Sequence, residues 1–380
     1  MKDLAVDLEI LLQAMVKHDA SDLFITAGFP PSFKIHGKVT PTSQRSLSES
    51  QAKELVFKAM TPQQQEEFNQ THEGNFALSR ENLGRFRVNA FYQRSSAGMV
   101  LRRIKTEIPS FEQLHLPTTL RQLTMISRGM VIFVGGTGSG KSTSLAAMVG
   151  YRNRNSKGHI VTIEDPIEYI HEHEDCIITQ REVGIDTQSY EVALKNTLRQ
   201  APDVILIGEI RSRETMEYAM AFAETGHLCL STLHANNANQ ALERIINFFP
   251  EDRRQQLLLD LSLNLKAVVA QRLIPTTDGQ GRRAAVEILI NTPLVAELIY
   301  KGDVIGIKDL MKRSTEQGMQ SFDRAVYQLH KEGAISYEDA LRNADSANEV
   351  RLMVKLGGEG MAEKLSAAIE GVTLQGPEQG

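Results

Sequence analysis

The 380-residue sequence contains only two cysteines, no tryptophan and no long uninterrupted apolar run. Cys176 and Cys229 are too few for a four-cysteine zinc site and do not form a disulfide framework, so we expect two buried thiols. No apolar stretch approaches the roughly 20 residues that span a bilayer, which predicts a chain without a transmembrane segment. Asp3, Asp7 and Glu9 interrupt the amino-terminal segment, so we expect no signal peptide and a cytoplasmic location.

The sequence also lacks an excess of positive charge. Its formal net charge of −5 gives no footprint for a nucleic-acid backbone, and we expect no nucleic-acid partner. The contents of 41% hydrophobic and 23% charged residues are typical of a globular protein. A chain of 380 residues is long for one domain, which favours two domains and a tail.

One stretch carries a strong chemical signature, the pattern G-x-x-x-x-G-K-S at residues 135–142. The apolar run 130–134 precedes it and the helix-forming run 145–148 follows, which is the strand-to-helix context that a phosphate-binding P-loop requires. Backbone N–H groups and the positive end of the following helix would bind the phosphates of ATP. Lys141 would reach the β- and γ-phosphates, and Ser142 would ligate Mg²⁺. The residues expected to bind the nucleotide are Gly135, Gly136, Thr137, Gly138, Ser139, Gly140, Lys141, Ser142 and Thr143.

Acidic residues follow two other apolar runs, where the carboxyl ends of parallel strands place ligand-binding groups. Glu164 follows the run 160–163 and is our candidate for the general base. Glu209 comes two residues after the run 204–207, at the position of a Walker B carboxylate. A Gly-Glu pair stands there in place of the usual terminal Asp. Glu209 would therefore either bind Mg²⁺, directly or through water, or orient the attacking water.

Histidines occur in two further segments of interest. His234 lies at the carboxyl edge of the apolar run 228–232, where it would contact the γ-phosphate or couple the site to a neighbouring subunit. His171 and His173 have a spacing that superficially resembles a metal site, but their acidic neighbours favour a solvated loop.

The order of patterns predicts the architecture. Residues 1–108 mix helices and short strands, with hydroxyl helix caps at Ser48 and Thr61 and strands from Gly84 and at 99–104, which predicts a small α+β domain with an antiparallel sheet. From residue 129 short apolar runs alternate with helices, which predicts an α/β domain with a parallel sheet. The segment 168–188 is predicted to be a functional loop or a small hairpin, and 253–269 an amphipathic helical segment. The predicted ranges are an N-terminal domain (1–108), a linker (109–123), an ATPase core (124–291), a C-terminal helical part (292–356) and a mobile tail (357–380).

Four motifs together resemble a known superfamily. The P-loop, the segments 163–169 and 206–211, and the histidine-containing segment 226–235 match, in order, the Walker A, aspartate box, Walker B and histidine box of secretion-superfamily ATPases. Residues 84–89, Gly-Arg-Phe-Arg-Val-Asn, resemble the type IV pilus retraction ATPases, the PilT/PilU-like branch. The resemblance covers roughly residues 1–345.

The resemblance implies a PAS-like N-terminal domain, a RecA-like P-loop ATPase domain and a homohexameric ring with nucleotide between subunits. It assigns the catalytic base to Glu164, the Walker B position to Glu209 and the histidine-box contact to His234. Arg85, Arg87 and Arg102 are expected to approach the nucleotide across an interface, although a charged strand face is often simply solvated. The implied partners are an inner-membrane pilus platform protein and a PilT-like retraction ATPase, and the implied location is peripheral at the inner membrane.

Two departures refine the resemblance. Pilus-extension and type II secretion motors usually have a paired-cysteine zinc site, which two distant cysteines do not supply. Residues 305–311, Ile-Gly-Ile-Lys-Asp-Leu-Met, replace the Ala-Ile-Arg-like signature of PilT itself, so the chain resembles the accessory, PilU-like members more closely. The alternatives are an extension or type II secretion ATPase, and a nucleotide-gated scaffold that binds ATP without hydrolysing it.

Overall fold

The computed structural model describes residues 7–35, 37–104, 107–313 and 318–357. It divides into two compact units: residues 1–108 together with 153–202, and residues 109–152 together with 203–380. The domain ranges predicted from sequence stay predictions. The predicted mobile tail begins at residue 357, and its residues after 357 lie outside the described part of the chain.

The helices and strands are numbered in chain order. The helices are α1 (Leu8–Lys17), α2 (Glu49–Lys58), α3 (Pro62–Thr71), α4 (Thr119–Met125), α5 (Lys141–Asn155), α6 (Tyr190–Thr197), α7 (Arg213–Glu224), α8 (Ala238–Asn247), α9 (Glu251–Asn264), α10 (Pro293–Lys301), α11 (Val304–Arg313), α12 (Phe322–Lys331), α13 (Tyr337–Asn343) and α14 (Ala347–Leu356). The strands are β1 (Asp22–Ile25), β2 (Ser32–Ile35), β3 (Lys38–Pro41), β4 (Glu73–Arg80), β5 (Gly84–Gln93), β6 (Ser96–Arg103), β7 (Gly129–Val134), β8 (Gly158–Glu164), β9 (Cys176–Glu182), β10 (Val204–Ile207), β11 (Leu228–Leu233), β12 (Leu265–Pro275) and β13 (Arg282–Ile290).

A six-stranded antiparallel sheet organises the amino-terminal part of the first unit, in the order β3-β2-β1-β6-β5-β4. Buried side chains of β5, including Phe86, Val88 and Ala90, and of β6 belong to one apolar core with the buried face of α1. Reciprocal capping boxes begin α2 at Ser48 and α3 at Thr61, each satisfying backbone N–H groups that a helix start leaves unpaired. These features confirm the predicted α+β arrangement, although β4 was not predicted.

The first unit also contains β8 and β9, which corrects the prediction for residues 168–188. The strand β9 lies inside that segment and pairs with β8 in parallel, so the segment is neither an irregular loop nor a hairpin. Its sequence gives a weak strand signal because four of its seven residues, Thr179–Glu182, are polar. Their partners are polar groups of the same unit, so no apolar alternation is needed.

The second unit contains strands in the order β13-β12-β7-β11-β10. The pairs among β12, β7, β11 and β10 are parallel, and β13 adds an antiparallel edge. Every residue of β7, β10 and β11 is buried, which confirms the parallel sheet predicted from their continuous apolar runs. The cysteines Cys176 and Cys229 are both buried thiols, as predicted.

The carboxyl-terminal half of the second unit differs from prediction at three places. The segment predicted as helical over 253–269 ends as α9 at Asn264, and residues 265–269 begin β12, since their buried Val and Ala side chains fill the sheet next to β7. The sequence pattern over 337–356 predicts one helix, but the segment forms two helices, because Ser346 caps α14 separately. The helix α11 was not predicted.

Candidate nucleotide site

The P-loop connects β7 to α5 through glycines with positive φ. Gly135 has φ +154°, Gly138 +75° and Gly140 +89°, conformations that residues with a Cβ rarely adopt. A Cβ on Gly135 would lie 2.4 Å from Ser139 Oγ and 2.6 Å from the carbonyl oxygen of Gln271, whereas one at Gly138 would meet nothing within 4 Å. The loop is therefore closely packed on one side and open on the other, as a phosphate cradle must be.

Lys141, the first residue of α5, lies against this loop. Its Nζ donates hydrogen bonds to the carbonyl oxygens of Gly135, at 2.8 Å, and Gly136, at 3.0 Å. The lysine thereby holds the loop curled around the helix start, with its charge at the end of the helix that favours anions.

Gln271 on β12 holds the P-loop through side-chain hydrogen bonds, a role that sequence analysis did not identify. Its side chain is 2% exposed. Its Nε2 donates to the carbonyl oxygen of Ser139 at 2.9 Å, and its Oε1 accepts from Ser144 Oγ at 2.8 Å. The only available signal was an amide directly after the apolar run 267–270 of β12.

Glu209 and His234 meet at the carboxyl ends of β10 and β11. The hydroxyl of Ser231 donates to the carbonyl of Ile207 at 2.8 Å, and that of Thr232 donates to Gly208 at 2.6 Å, which ties the two strand ends together. Glu209 Oε1 lies 3.2 Å from His234 Nε2. Its Oε2 accepts from Arg211 Nε at 2.6 Å, so both carboxylate oxygens are held in place.

An open pocket of about 570 Å³ lies between the start of the P-loop and the end of β11 within the second unit. Gly135 and Gly136 line one side, and His234 and Arg244 line another. Its volume lies in the range of ligand sites, about 300–1,000 Å³. Gly135 and Gly136 of the P-loop and His234, which were predicted separately, therefore face one cavity.

Two of the predicted site residues carry oxygen donors that fit Mg²⁺. Ser142 and Glu209 offer hydroxyl and carboxylate oxygens, the ligands that this hard cation prefers. Within the described ranges, no group of three or more His, Cys, Asp or Glu residues could hold a metal ion. Protein residues would supply only part of the coordination, as is usual for Mg²⁺ bound with substrate phosphates.

Glu164 ends β8 in the first unit and is held by two donors. Thr162 Oγ1 donates to Glu164 Oε1 at 2.6 Å, and Gln180 Nε2 donates to the same oxygen at 3.2 Å. Burial raises the pKa of Glu164 to about 7, more than these hydrogen bonds lower it, and the charges of Glu168 and Glu182 raise it further. A carboxylate with a pKa near neutrality suits a general base.

The predicted arginines belong to the first unit, and two of them form ion pairs there. Arg85 Nη2 lies 3.9 Å from Glu182 Oε2 and 3.8 Å from Asp186 Oδ2. Burial raises the pKa of Glu182, and the charges of Arg85 and Arg87 oppose that shift. Arg102 Nε donates to Asp22 at 2.8 Å. An approach of these three arginines to nucleotide stays a prediction.

The histidines of the 171–173 segment are held by local contacts. Burial lowers the pKa of His171 to about 4, and His173 Nδ1 accepts a hydrogen bond from the backbone N–H of Ile178 at 3.0 Å. The segment is thus more structured than the solvated loop that the sequence favoured.

Comparison with known proteins gives consistent matches. The model of a family described as type II/IV secretion system protein matches residues 3–302. The chain is 65% identical over 370 residues to the type IV pilus ATPase PilU of Pseudomonas aeruginosa, covering 97% of each protein. It is 38% identical over 339 residues to the type IV pilus retraction ATPase PilT of that organism, covering 89% of this chain and 98% of the relative.

A solved structure of the pilus retraction motor PilT with bound ADP matches with a TM-score of 0.85 and 37% identity, covering 92% of this chain and all of that one. The match confirms the predicted fold class, a small N-terminal domain followed by a RecA-like ATPase domain and a helical carboxyl-terminal part. None of the described helices has both the length and the apolar composition needed to cross a bilayer.

Proposed function

Because the chain belongs to the type II/IV secretion system protein family and is an ATPase of its type IV pilus branch, we propose that it drives or assists pilus retraction. In this proposal it hydrolyses Mg²⁺-bound ATP as a homohexamer. It acts as a PilU-like accessory to a PilT-like motor and engages a platform protein at the inner membrane.

The observation that carries the proposal is the edge of the second unit's sheet. The P-loop follows β7, Glu209 follows β10 and His234 follows β11, and all three strands are parallel neighbours. Open α/β sheets bind ligands at the carboxyl ends of their strands. These strand ends carry the groups that a nucleoside triphosphate and its Mg²⁺ need: the Lys141 cation, the start of α5, and the oxygens of Ser142 and Glu209.

Each residue has a distinct proposed part. The backbone N–H groups of the P-loop and Lys141 bind and orient the phosphates. Ser142 and Glu209 would hold Mg²⁺, which would supply positive charge beside the phosphate oxygens. Glu164 accepts the proton of the attacking water. His234 fixes the orientation of Glu209 through the 3.2 Å contact. Arg85, Arg87 and Arg102 would stabilise negative charge if they reach a nucleotide in the assembled ring.

Phosphate release by the purified full-length chain tests the enzyme. Lys141→Ala is expected to weaken ATP binding, and Glu164→Gln to reduce turnover by about 10²–10⁴-fold while ATP still binds. The exposed residues Lys195 and Glu251 provide matched controls, Lys195→Ala and Glu251→Gln. Turnover that survives both site variants contradicts the assigned chemistry, and binding without turnover in the wild-type protein indicates a scaffold.

Deletion in the source bacterium tests the biological role. We expect surface pili that fail to retract under load, restored by the wild-type gene and not by the Glu164→Gln gene. Loss of surface pili would instead indicate an extension motor, and loss of protein export a type II secretion motor. Light scattering of the purified protein with nucleotide should give six chains per particle.

A further inference from the structure

Gln180 occupies a special place on β9. The parallel register pairs Thr162 with Gln180 and Glu164 with Glu182. Because side chains two residues apart in a strand share a face, these four side chains lie on the same face of the β8–β9 pair. Gln180 is thus beside the proposed base without being adjacent to it in sequence.

Three hydrogen bonds fix the orientation of the Gln180 amide. Its Oε1 accepts from the backbone N–H of His171 at 2.7 Å. Its Nε2 donates to the carbonyl oxygen of Tyr169 at 3.0 Å and to Glu164 Oε1 at 3.2 Å. A flipped amide would place its oxygen against two other acceptors, so the N–H₂ group must face Glu164.

The two donors to Glu164 converge on one oxygen. Thr162 Oγ1 and Gln180 Nε2 both donate to Oε1. Over the described residues, no side chain or backbone group donates a hydrogen bond to Oε2. The two oxygens of the carboxylate are therefore unequal.

We infer that Gln180 is a positioning residue for Glu164, holding Oε1 together with Thr162 so that Oε2 remains the oxygen that accepts the proton of water. In this step the O–H bond of water breaks and a new O–H bond forms at Oε2. The water oxygen bonds to the terminal phosphorus of ATP, the bond from that phosphorus to the bridging oxygen breaks, and ADP leaves with the bridging oxygen and its electron pair. The inference rests on the proposed role of Glu164.

The charges around Glu164 determine how the removal of Gln180 would be observed. The acidic groups facing it are Glu168, in the loop after β8, and Glu182 on β9, and both favour its protonated form. Arg85 and Arg87 on β5 act on Glu182. The hydrogen bond from Gln180 favours the carboxylate, so its loss raises the pKa of Glu164.

The pH profile of kcat for the full-length protein tests the inference. Gln180→Leu should move the acidic limb upward by about one pH unit. Activity at pH 7 should then fall about five-fold and recover at higher pH, with KM for ATP unchanged. A purely structural role would lower kcat equally at all pH values. Gln188→Leu makes the same change at an exposed position and should leave the profile unchanged.

A second variant covers the case in which Gln180→Leu fails to fold. Thr162→Val removes the other donor with little change in shape and should shift the limb in the same direction. Superposition of either folded variant's profile on that of wild type, or a pH-independent loss, overturns the inference. Glu164→Gln separates the two proposals. If it leaves wild-type turnover intact, the proposed role of Glu164 as the general base fails. If it abolishes turnover while Gln180→Leu does not shift the limb, only the inference fails.

Discussion

His234 Nε2 lies 3.2 Å from Glu209 Oε1, while Arg211 holds the opposite carboxylate oxygen at 2.6 Å. The Glu209 side chain is 13% exposed, so water has little access with which to replace these two contacts. We expect His234→Ala to lower kcat by about ten-fold with little effect on ATP affinity, since Glu209 loses one of two partners. Single-turnover phosphate release and nucleotide titration separate the two effects.

The control for this variant is His227, at the opposite end of β11. Its Nδ1 contacts the carbonyl of Phe222 and the hydroxyl of Thr225, away from Glu209. His227→Ala should leave kcat near the wild-type value. Equal losses in the two variants would point to general damage to β11.

A methyl group added at Gly135 should cost more folding stability than one added at Gly138. Both have positive φ, but only Gly135→Ala brings its Cβ within 2.6 Å of the Gln271 carbonyl. We expect Gly135→Ala to lower the free energy of unfolding by about 1–3 kcal/mol more than Gly138→Ala. Denaturant unfolding without nucleotide measures this difference, and equal stabilities would mean that the loop yields easily.

Arg85 balances the charge of Glu182, whose side chain is 1% exposed. Arg85→Met leaves that carboxyl without its nearest cation and should cost about 1–3 kcal/mol of stability. Adding Glu182→Gln should recover part of the loss, as a double-mutant cycle would measure. Arg102→Met should cost less, because the Arg102 side chain is 68% exposed and Ser21 Oγ also donates to Asp22. A larger cost at Arg102 would contradict this ranking.

Glu287 makes the stability of the second unit depend on pH. It is 6% exposed and accepts a hydrogen bond from the backbone N–H of Ala238 at 2.8 Å. Burial raises its pKa from 4.5 to about 7, so the folded protein binds a proton that the unfolded chain releases between these values. This contribution to stability is complete below pH 4.5 and is lost as the pH rises through 7.

Glu287→Gln should remove this dependence, because the amide oxygen can still accept from Ala238 while no charge is buried. We expect Tm values close to wild type at pH 5 and higher by about 2–6 °C at pH 8. Glu164 shifts in the same direction in both proteins, so the difference between them isolates Glu287. Parallel Tm curves across this range would contradict the assignment.

The sequence predicted those parts of the site whose chemistry is local. The P-loop spacing, the strand-end acids and His234 are visible because each motif combines an apolar run with its functional residue. The capping boxes at Ser48 and Thr61 were predicted for the same reason, since a helix cap spans four consecutive residues.

Gln180 and Gln271 could not be predicted in this way. Gln271 contacts Ser139, 132 positions away, and Gln180 contacts Glu164 only through the pairing of β8 with β9. The polar strand β9 gave no periodic apolar signal, and without it Gln180 has no defined neighbours. An amide becomes functional there through tertiary contacts that a single sequence does not encode locally.

The strand β12 joins two tasks in consecutive residues. Gln271 holds the P-loop, and Arg272, on the opposite face, pairs with Asp345 at 2.7 Å and stacks on Phe322 at 3.9 Å. A small shift of β12 along its own axis would disturb the contacts on both of its faces. The contacts of β12 therefore couple the carboxyl-terminal helices to the P-loop. Neither can move far along this strand unless the other moves with it.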